Sequence, residues 1–225
     1  MTAIFAYVAG QQAIIASDTL RRDPLGLFEN STVKKVYCWS NCILFAGAGN
    51  GPRLEKLASD MLANQTKYSP DEAGIVAAFR SLQPTHYAHA TSGHSVVTKS
   101  PRLAQGTFLV AVPEMNGCPA KLFELDFATG DRKDLLLPLA SQGTNPDAFL
   151  KFAQQRLAAY RTTAGLPGDL WAGGCVSDAI AICSQDVGFP FDVIVTGPNG
   201  SGGWQANHQR FSALPLSANS LFLIR

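Results

Sequence analysis

The stretch Ala3-Ile4-Phe5-Ala6-Tyr7-Val8-Ala9-Gly10-Gln11-Gln12-Ala13-Ile14-Ile15-Ala16 decides the fold. Two nearly unbroken apolar runs flank a Gly-Gln pair, the pattern of a β-hairpin closed by a two-residue turn. Neither run alternates with polar residues, and a strand that is apolar on both faces needs cover on both. The hairpin therefore belongs inside a layered structure. A second pair of strands runs from Val33 to Trp39, turns at Ser40-Asn41, and returns through Cys42-Ile43-Leu44-Phe45 to Ala46-Gly47. Between the two pairs, Arg21 to Ser31 holds Pro24, Gly26 and Asn30 and reads as a loop.

Helical spacing begins after the second hairpin. Leu54, Leu57, Met61 and Leu62 predict a helix from Asn50 to Asn64. Ser69-Pro70-Asp71-Glu72 is a start signal in which Ser69 caps, Pro70 takes the first position and Glu72 completes a capping box. That helix buries Ile75, Val76, Phe79 and Leu82 and is expected to end before Pro84, with residues 85–106 a loop plus a weak strand. Thr107 to Val112 and Ala120 to Leu125 read as strands joined around Asn116-Gly117. Asn145-Pro146-Asp147 opens a third helix carrying Phe149, Leu150, Phe152, Ala153 and Leu157, and Trp171 to Ser184 predicts a fourth. Phe191 to Val195 reads as a last core strand, and Leu221 to Ile224 as a further one. Strands and helices come in separate blocks, which argues against a parallel doubly wound sheet. The expected fold is α+β: two antiparallel sheets packed together with helix pairs outside, in a single domain over residues 1–225.

Composition narrows the function classes. The chain has 225 residues, 46% hydrophobic and 16% charged, with 18 Lys plus Arg against 17 Asp plus Glu. A net charge of +1 lacks the basic surplus of a nucleic-acid binder or an electrostatically held membrane protein. No apolar run approaches the roughly 18 residues of a membrane span. Met1 to Val8 has no basic segment ahead of its apolar run, so no signal peptide is expected. Five cysteines at irregular spacing suit reduced thiols in a cytoplasmic protein.

The hairpins bring together residues with chemical potential. A two-residue turn at Gly10-Gln11 makes facing residues sum to about 21, which puts Thr2 and Asp18 at one end. A turn at Ser40-Asn41 makes the second sum about 81 and sets Lys34 or Lys35 beside Ala46-Gly47. Removal of Met1 ahead of a small residue would leave Thr2 with a free α-amine, whose ordinary pKa of about 7.7–8.0 leaves much of it basic near neutrality. Threonine with its own amine is a nucleophile and base on one residue. A nearby ammonium would favour the neutral amine and stabilise an alkoxide, a carboxylate would hold that ammonium, and the Gly47 N–H would serve an oxyanion. Taken alone, a second-position threonine is only a chain start.

Ala13-Ile14-Ile15-Ala16-Ser17-Asp18, then Val33-Lys34-Lys35-Val36, then Leu44-Phe45-Ala46-Gly47 together resemble the proteasome β-type peptidases, most of all the bacterial β-proteasome homologues. In that family the mature chain begins with threonine, an acid follows sixteen residues later, and a Lys-Lys run precedes Ala-Gly. The resemblance assigns the nucleophile to Thr2, the active-site lysine to Lys35, its acid partner to Asp18 and the oxyanion donor to Gly47. Strand alternation allows only one lysine of the pair to point into the site. The interval from Thr2 to Lys35 is one residue longer than the family's, an insertion the loop 21–31 can hold. Leu139-Ala140-Ser141-Gln142-Gly143 resembles the segment whose serine supports the terminal amine, which makes Ser141 a candidate. Asp186 stands near the family's late acid but lacks the serine three residues on.

The resemblance implies an αββα sandwich of the N-terminal-nucleophile hydrolase type and peptide hydrolysis through a threonyl ester. It also implies self-association into heptameric rings, single or stacked in pairs, that enclose peptide or unfolded-protein substrates. It leaves any unfoldase or activator unknown and calls for no cofactor or metal. Two alternatives accompany it: a non-catalytic ring or scaffold subunit of the same fold, and an amidohydrolase of that fold acting on a small molecule. His86, His89 and His94 fit no closed zinc spacing and read as polar loop residues. Cys38 and Cys42 are expected as reduced strand residues, and Gly197 to Gly203 as a surface turn without phosphate-loop features.

Overall fold

The computed structural model describes residues 2–22, 28–29, 33–49, 51–92, 105–161, 168–183 and 187–212. Asp186, His94 and the strand expected at Leu221 to Ile224 lie outside the described residues.

Strands β1 (Ala3–Ala9) and β2 (Gln12–Asp18) form the first hairpin. Ile4 faces Ser17 and Ala9 faces Gln12, the register of a two-residue turn, and Gly10 turns the chain at φ 51°. A short pair, β3 (Arg21–Arg22) and β4 (Phe28–Glu29), falls in the expected loop region. The second hairpin joins β5 (Val36–Trp39) to β6 (Ile43–Gly49). Here the register departs from expectation by one residue: Val36 faces Ala46 and Trp39 faces Ile43. Ser40 and Asn41 take φ of 50° and 61°, and the Cys42 N–H closes the turn on Trp39 O at 3.1 Å. Cys42 is thus a third turn residue, and the shift sets Lys35, not Lys34, across from Gly47.

Helix α1 (Gly51–Ala63) and α2 (Glu72–Ser92) follow, then β7 (Gly106–Val112), β8 (Lys121–Asp126), β9 (Arg132–Leu135) and β10 (Leu139–Gly143). Helices α3 (Pro146–Arg161) and α4 (Gly168–Ile182) precede β11 (Phe191–Pro198) and β12 (Trp204–Phe211). One five-stranded sheet has the order β10-β1-β2-β11-β12, the other β5-β6-β7-β8-β9, and neighbours in both are antiparallel.

Alternation along the strands sorts the core into three clusters. Phe45, Phe108 and Phe123 of the second sheet pack on Leu54, Leu57, Ile75 and Phe79 of α1 and α2. Phe5, Ile14 and Phe191 of the first sheet pack on Phe149, Leu157, Trp171 and Val176 of α3 and α4. Between the sheets lie Ile4, Val8 and Ile15 against Val36, Leu44, Leu109 and Leu122. Both faces of the first hairpin are covered, as its uninterrupted apolar runs require. The fold is α+β, two antiparallel five-stranded sheets with four helices among the described residues, compatible with a two-sheet sandwich.

Helix α2 corrects three readings. It runs through Pro84 to Ser92 instead of stopping, so residues 85–92 are not loop. Proline removes one backbone bond there, but the second half of the helix is pinned by packing. Gln83 Nε2 donates to Phe127 O at 2.6 Å, His86 Nε2 meets Asp60 Oδ2 at 3.1 Å, and Tyr87 packs edge-on against Phe127. His86 and His89 are therefore helical residues, and no group of three or more metal-binding side chains occurs among the described residues. The cap also differs. Asp71, not Ser69, accepts the Gly74 N–H at 3.1 Å. Glu72 turns away from any capping box to Arg132 and Lys121, at 2.5 and 2.7 Å.

Besides β10 and the short pair β3 and β4, two strands lack the pattern that would announce them. Strand β9 has a single apolar residue, Leu135, and β12 has one partner strand and is largely exposed, so neither carries the alternation that marks a half-buried strand. The Gly197 to Gly203 region does turn between β11 and β12, held by Asn199 Oδ1, which accepts the Ser201 and Gly203 N–H groups. Cys38 and Cys42 are free thiols, and burial pushes them up to about 12 and about 11.

Candidate active site

Thr2, Asp18 and Lys35 meet where the open ends of the two hairpins come together. Thr2 is held by its backbone: its carbonyl accepts the Thr144 N–H at 3.0 Å, and Ala3 pairs with Gly143 of β10. A Cβ at position 143 would stand 1.7 Å from Thr2 O, and Gly143 has φ 125°. Only glycine lets β10 pass so close to the first residues of β1.

Lys35 Nζ has three acceptors in reach. Thr2 Oγ1 lies at 3.0 Å, Asp18 Oδ2 at 3.1 Å and Leu20 O at 2.5 Å. An ammonium has three protons to donate, so this set satisfies it completely. Asp18 is fully buried, and its other oxygen accepts the Ala3 N–H at 2.8 Å. Burial pushes the Asp18 carboxyl above its ordinary value, opposed by the Lys35 ammonium and the Ala3 N–H. One carboxylate thus ties the start of β1 to the lysine that faces the Thr2 hydroxyl.

The remaining predicted residues take different positions. Gly47 lines a small pocket with Thr2, Lys35 and Tyr37, and its N–H donates to Lys35 O at 3.3 Å. The oxyanion donor expected there is therefore engaged by a neighbouring strand, through a long bond. Ser141 shares a cleft with Thr2, and its hydroxyl donates to Pro146 O at 2.6 Å in the first turn of α3. Its lone pairs are left to accept a hydrogen bond from an amine. Lys34 is exposed, its carbonyl accepting the Tyr37 hydroxyl at 2.6 Å.

A cleft of about 620 Å³ opens beside Thr2 at the mouth of the layer between the sheets. Glu124, Gln142 and Thr144 lie along it and were missed in the sequence. Gln142 Nε2 donates to Glu124 Oε1 at 2.9 Å, bridging β10 of one sheet to β8 of the other. A signal was present for Glu124: it follows Leu122 on the inward side of β8, where the apolar alternation predicts another apolar residue. Gln142 gives none: Leu139 to Gly143 stands out in the sequence only through Ser141.

A hydroxyl in contact with a buried ammonium–carboxylate pair, on the wall of an open cleft, is an arrangement that can support attack on an electrophilic carbonyl carbon. No helix among the described residues is long and apolar enough to cross a membrane. No protein-family model matches the chain, and no curated protein sequence matches it.

Proposed function

We propose that the protein is a threonine-type peptidase of the N-terminal-nucleophile kind, with Thr2 as nucleophile once Met1 is removed. The observation that carries this reading is the 3.0 Å contact between Lys35 Nζ and Thr2 Oγ1, made while Lys35 is paired with Asp18. Because all three ammonium protons have acceptors, Lys35 is a poor place to put the hydroxyl proton. The base must be another group, and the free α-amine of a processed Thr2 is on the same residue.

In this mechanism the amine takes the proton from Oγ1 as that oxygen bonds to the peptide carbonyl carbon. Lys35 stabilises the charge on Oγ1. The tetrahedral oxyanion is met by the Gly47 N–H, which exchanges its long bond to Lys35 O for the substrate oxygen. The protonated amine then delivers its proton to the departing amide nitrogen, leaving a threonyl ester. Water activated by the same amine hydrolyses the ester and regenerates the hydroxyl. Ser141 accepts a hydrogen bond from the amine throughout. Self-association into seven-fold rings belongs to the same proposal. Leu136 is fully exposed and Leu137 about half so, which leaves apolar surface for such contacts.

The engaged Gly47 N–H favours the alternative of a non-catalytic subunit, and one experiment separates the two. Untagged protein made in cells is weighed intact and assayed on fluorogenic peptides beside Thr2→Ala. Loss of one Met and turnover that falls by about three orders of magnitude or more in the variant support the peptidase. A retained Met1 with no turnover supports the scaffold, and equal turnover by Thr2→Ala removes Thr2 from the mechanism.

A further inference from the structure

The cleft beside Thr2 is chemically one-sided. Among the described residues that line it, Glu124 carries the only ionisable side chain. Glu124 is held in place by Gln142, which is 8% exposed. A carboxylate can only accept, so the Gln142 amide nitrogen must face Glu124 and its carbonyl Oε1 must face elsewhere. That Oε1, and Thr144 Oγ1, have no hydrogen-bond partner among the described residues. Three groups able to accept a hydrogen bond therefore belong to residues that line the cleft: a carboxylate, an amide carbonyl and a hydroxyl. The one cation near Glu124 among the described residues is Lys133, 3.7 Å from Oε2 and 76% exposed, a loose surface contact that a better-placed donor can displace.

We propose that this cleft seats the basic side chain of a peptide substrate, a lysine ammonium or arginine guanidinium, with Glu124 as its counter-ion and Gln142 and Thr144 as further acceptors. The inference rests on the hydrolase reading only for the word substrate; the cation site itself stands on the cleft. Both unpartnered oxygens are covered, so seating the cation turns the Gln142 and Thr144 side chains towards it. An acidic side chain in the same place would face Glu124 with no compensating charge.

The test uses Thr2→Ala protein and equilibrium binding of three blocked pentapeptides that differ only in a central Lys, Leu or Glu. The Lys peptide is expected to bind about ten-fold tighter than the Leu peptide, a difference of about 1.4 kcal/mol, and the Glu peptide weakest. Glu124→Gln in the same background, which keeps an acceptor for the Gln142 amide, is expected to bring the Lys peptide to the Leu peptide's affinity without changing the latter. Equal Lys and Leu affinities overturn the proposal, as does a Lys preference that survives Glu124→Gln. Butylamine binding as tightly as the Lys peptide would overturn the peptide assignment in favour of a free amine. Glu124-dependent Lys binding with no cleavage by protein bearing Thr2 sinks the hydrolase reading and leaves the site standing. Cleavage of all three peptides at one rate does the reverse.

Discussion

Lys35 Nζ stands 3.0 Å from Thr2 Oγ1, although the two residues are 33 positions apart and each leads into a strand of a different sheet. The contact depends on Asp18, whose two oxygens reach in opposite directions, one to the Ala3 N–H and one to the ammonium. Neither hairpin alone contains both partners.

The Asp18–Lys35 pair predicts a titration with a definite sign. Asp18 holds its proton more tightly in the fold than in the unfolded chain, because burial outweighs its partners. Its contribution to stability is thus fully present below about pH 3.8 and is lost as pH rises through its folded value. Carboxyl carbon NMR is expected to show the Asp18 midpoint above 3.8, and higher again in Lys35→Met, which removes the strongest lowering influence. The same variant is expected to lose about 3–5 kcal/mol, since it leaves a buried carboxyl without its partner. A midpoint that falls in Lys35→Met would contradict the arrangement.

Gly143 makes a second prediction. An added Cβ collides with Thr2 O and also sits at positive φ. Gly143→Ala is expected to cost about 2 kcal/mol or more in urea unfolding and to weaken turnover through displacement of Thr2. Gly117 also has positive φ but nothing within 4 Å of its would-be Cβ, and so controls for backbone strain alone. Equal losses at the two positions would show that the close approach to Thr2 is unimportant.

His86 sits on the α1–α2 interface, far from this chemistry in the fold. Desolvation pulls its imidazole below the ordinary value of 6.5, against Asp60, which pulls the other way, while Lys56 and His89 add to the lowering. Its Nδ1 is buried without a partner among the described residues. Stability from neutral His86 is therefore complete above about pH 6.5 and is lost as pH falls through its depressed folded value. Unfolding midpoints measured between pH 7.5 and 5 on the protein and on His86→Gln should converge as pH drops. A constant gap between them would mean His86 does not titrate in that range.

Much of the fold was legible because burial leaves a strong mark on strands. The apolar runs of β1 and β2, and the spacing of Leu54, Leu57 and Met61, show their partners' existence without naming them. Polar strands such as β9, and a helix held through Pro84 by Gln83, His86 and Tyr87, leave no such mark. Their conformation is set by neighbours distant in the chain. The capping motif at Ser69 misled for a related reason: Glu72 had better-placed cationic partners in Arg132 and Lys121.

Sequence by itself determined that Thr2 and Asp18 share a hairpin end, because a two-residue turn fixes register by counting. It left the lysine to a choice between neighbours. Only the tertiary structure decided that Lys35 reaches Thr2, through one extra residue in the turn at Cys42 and the packing of one sheet on the other. It alone also brought Glu124 and Gln142 to the same cleft. Local counting sets which residues line up along a ladder, whereas contacts between sheets follow from how two surfaces fit, and no spacing within one strand encodes that.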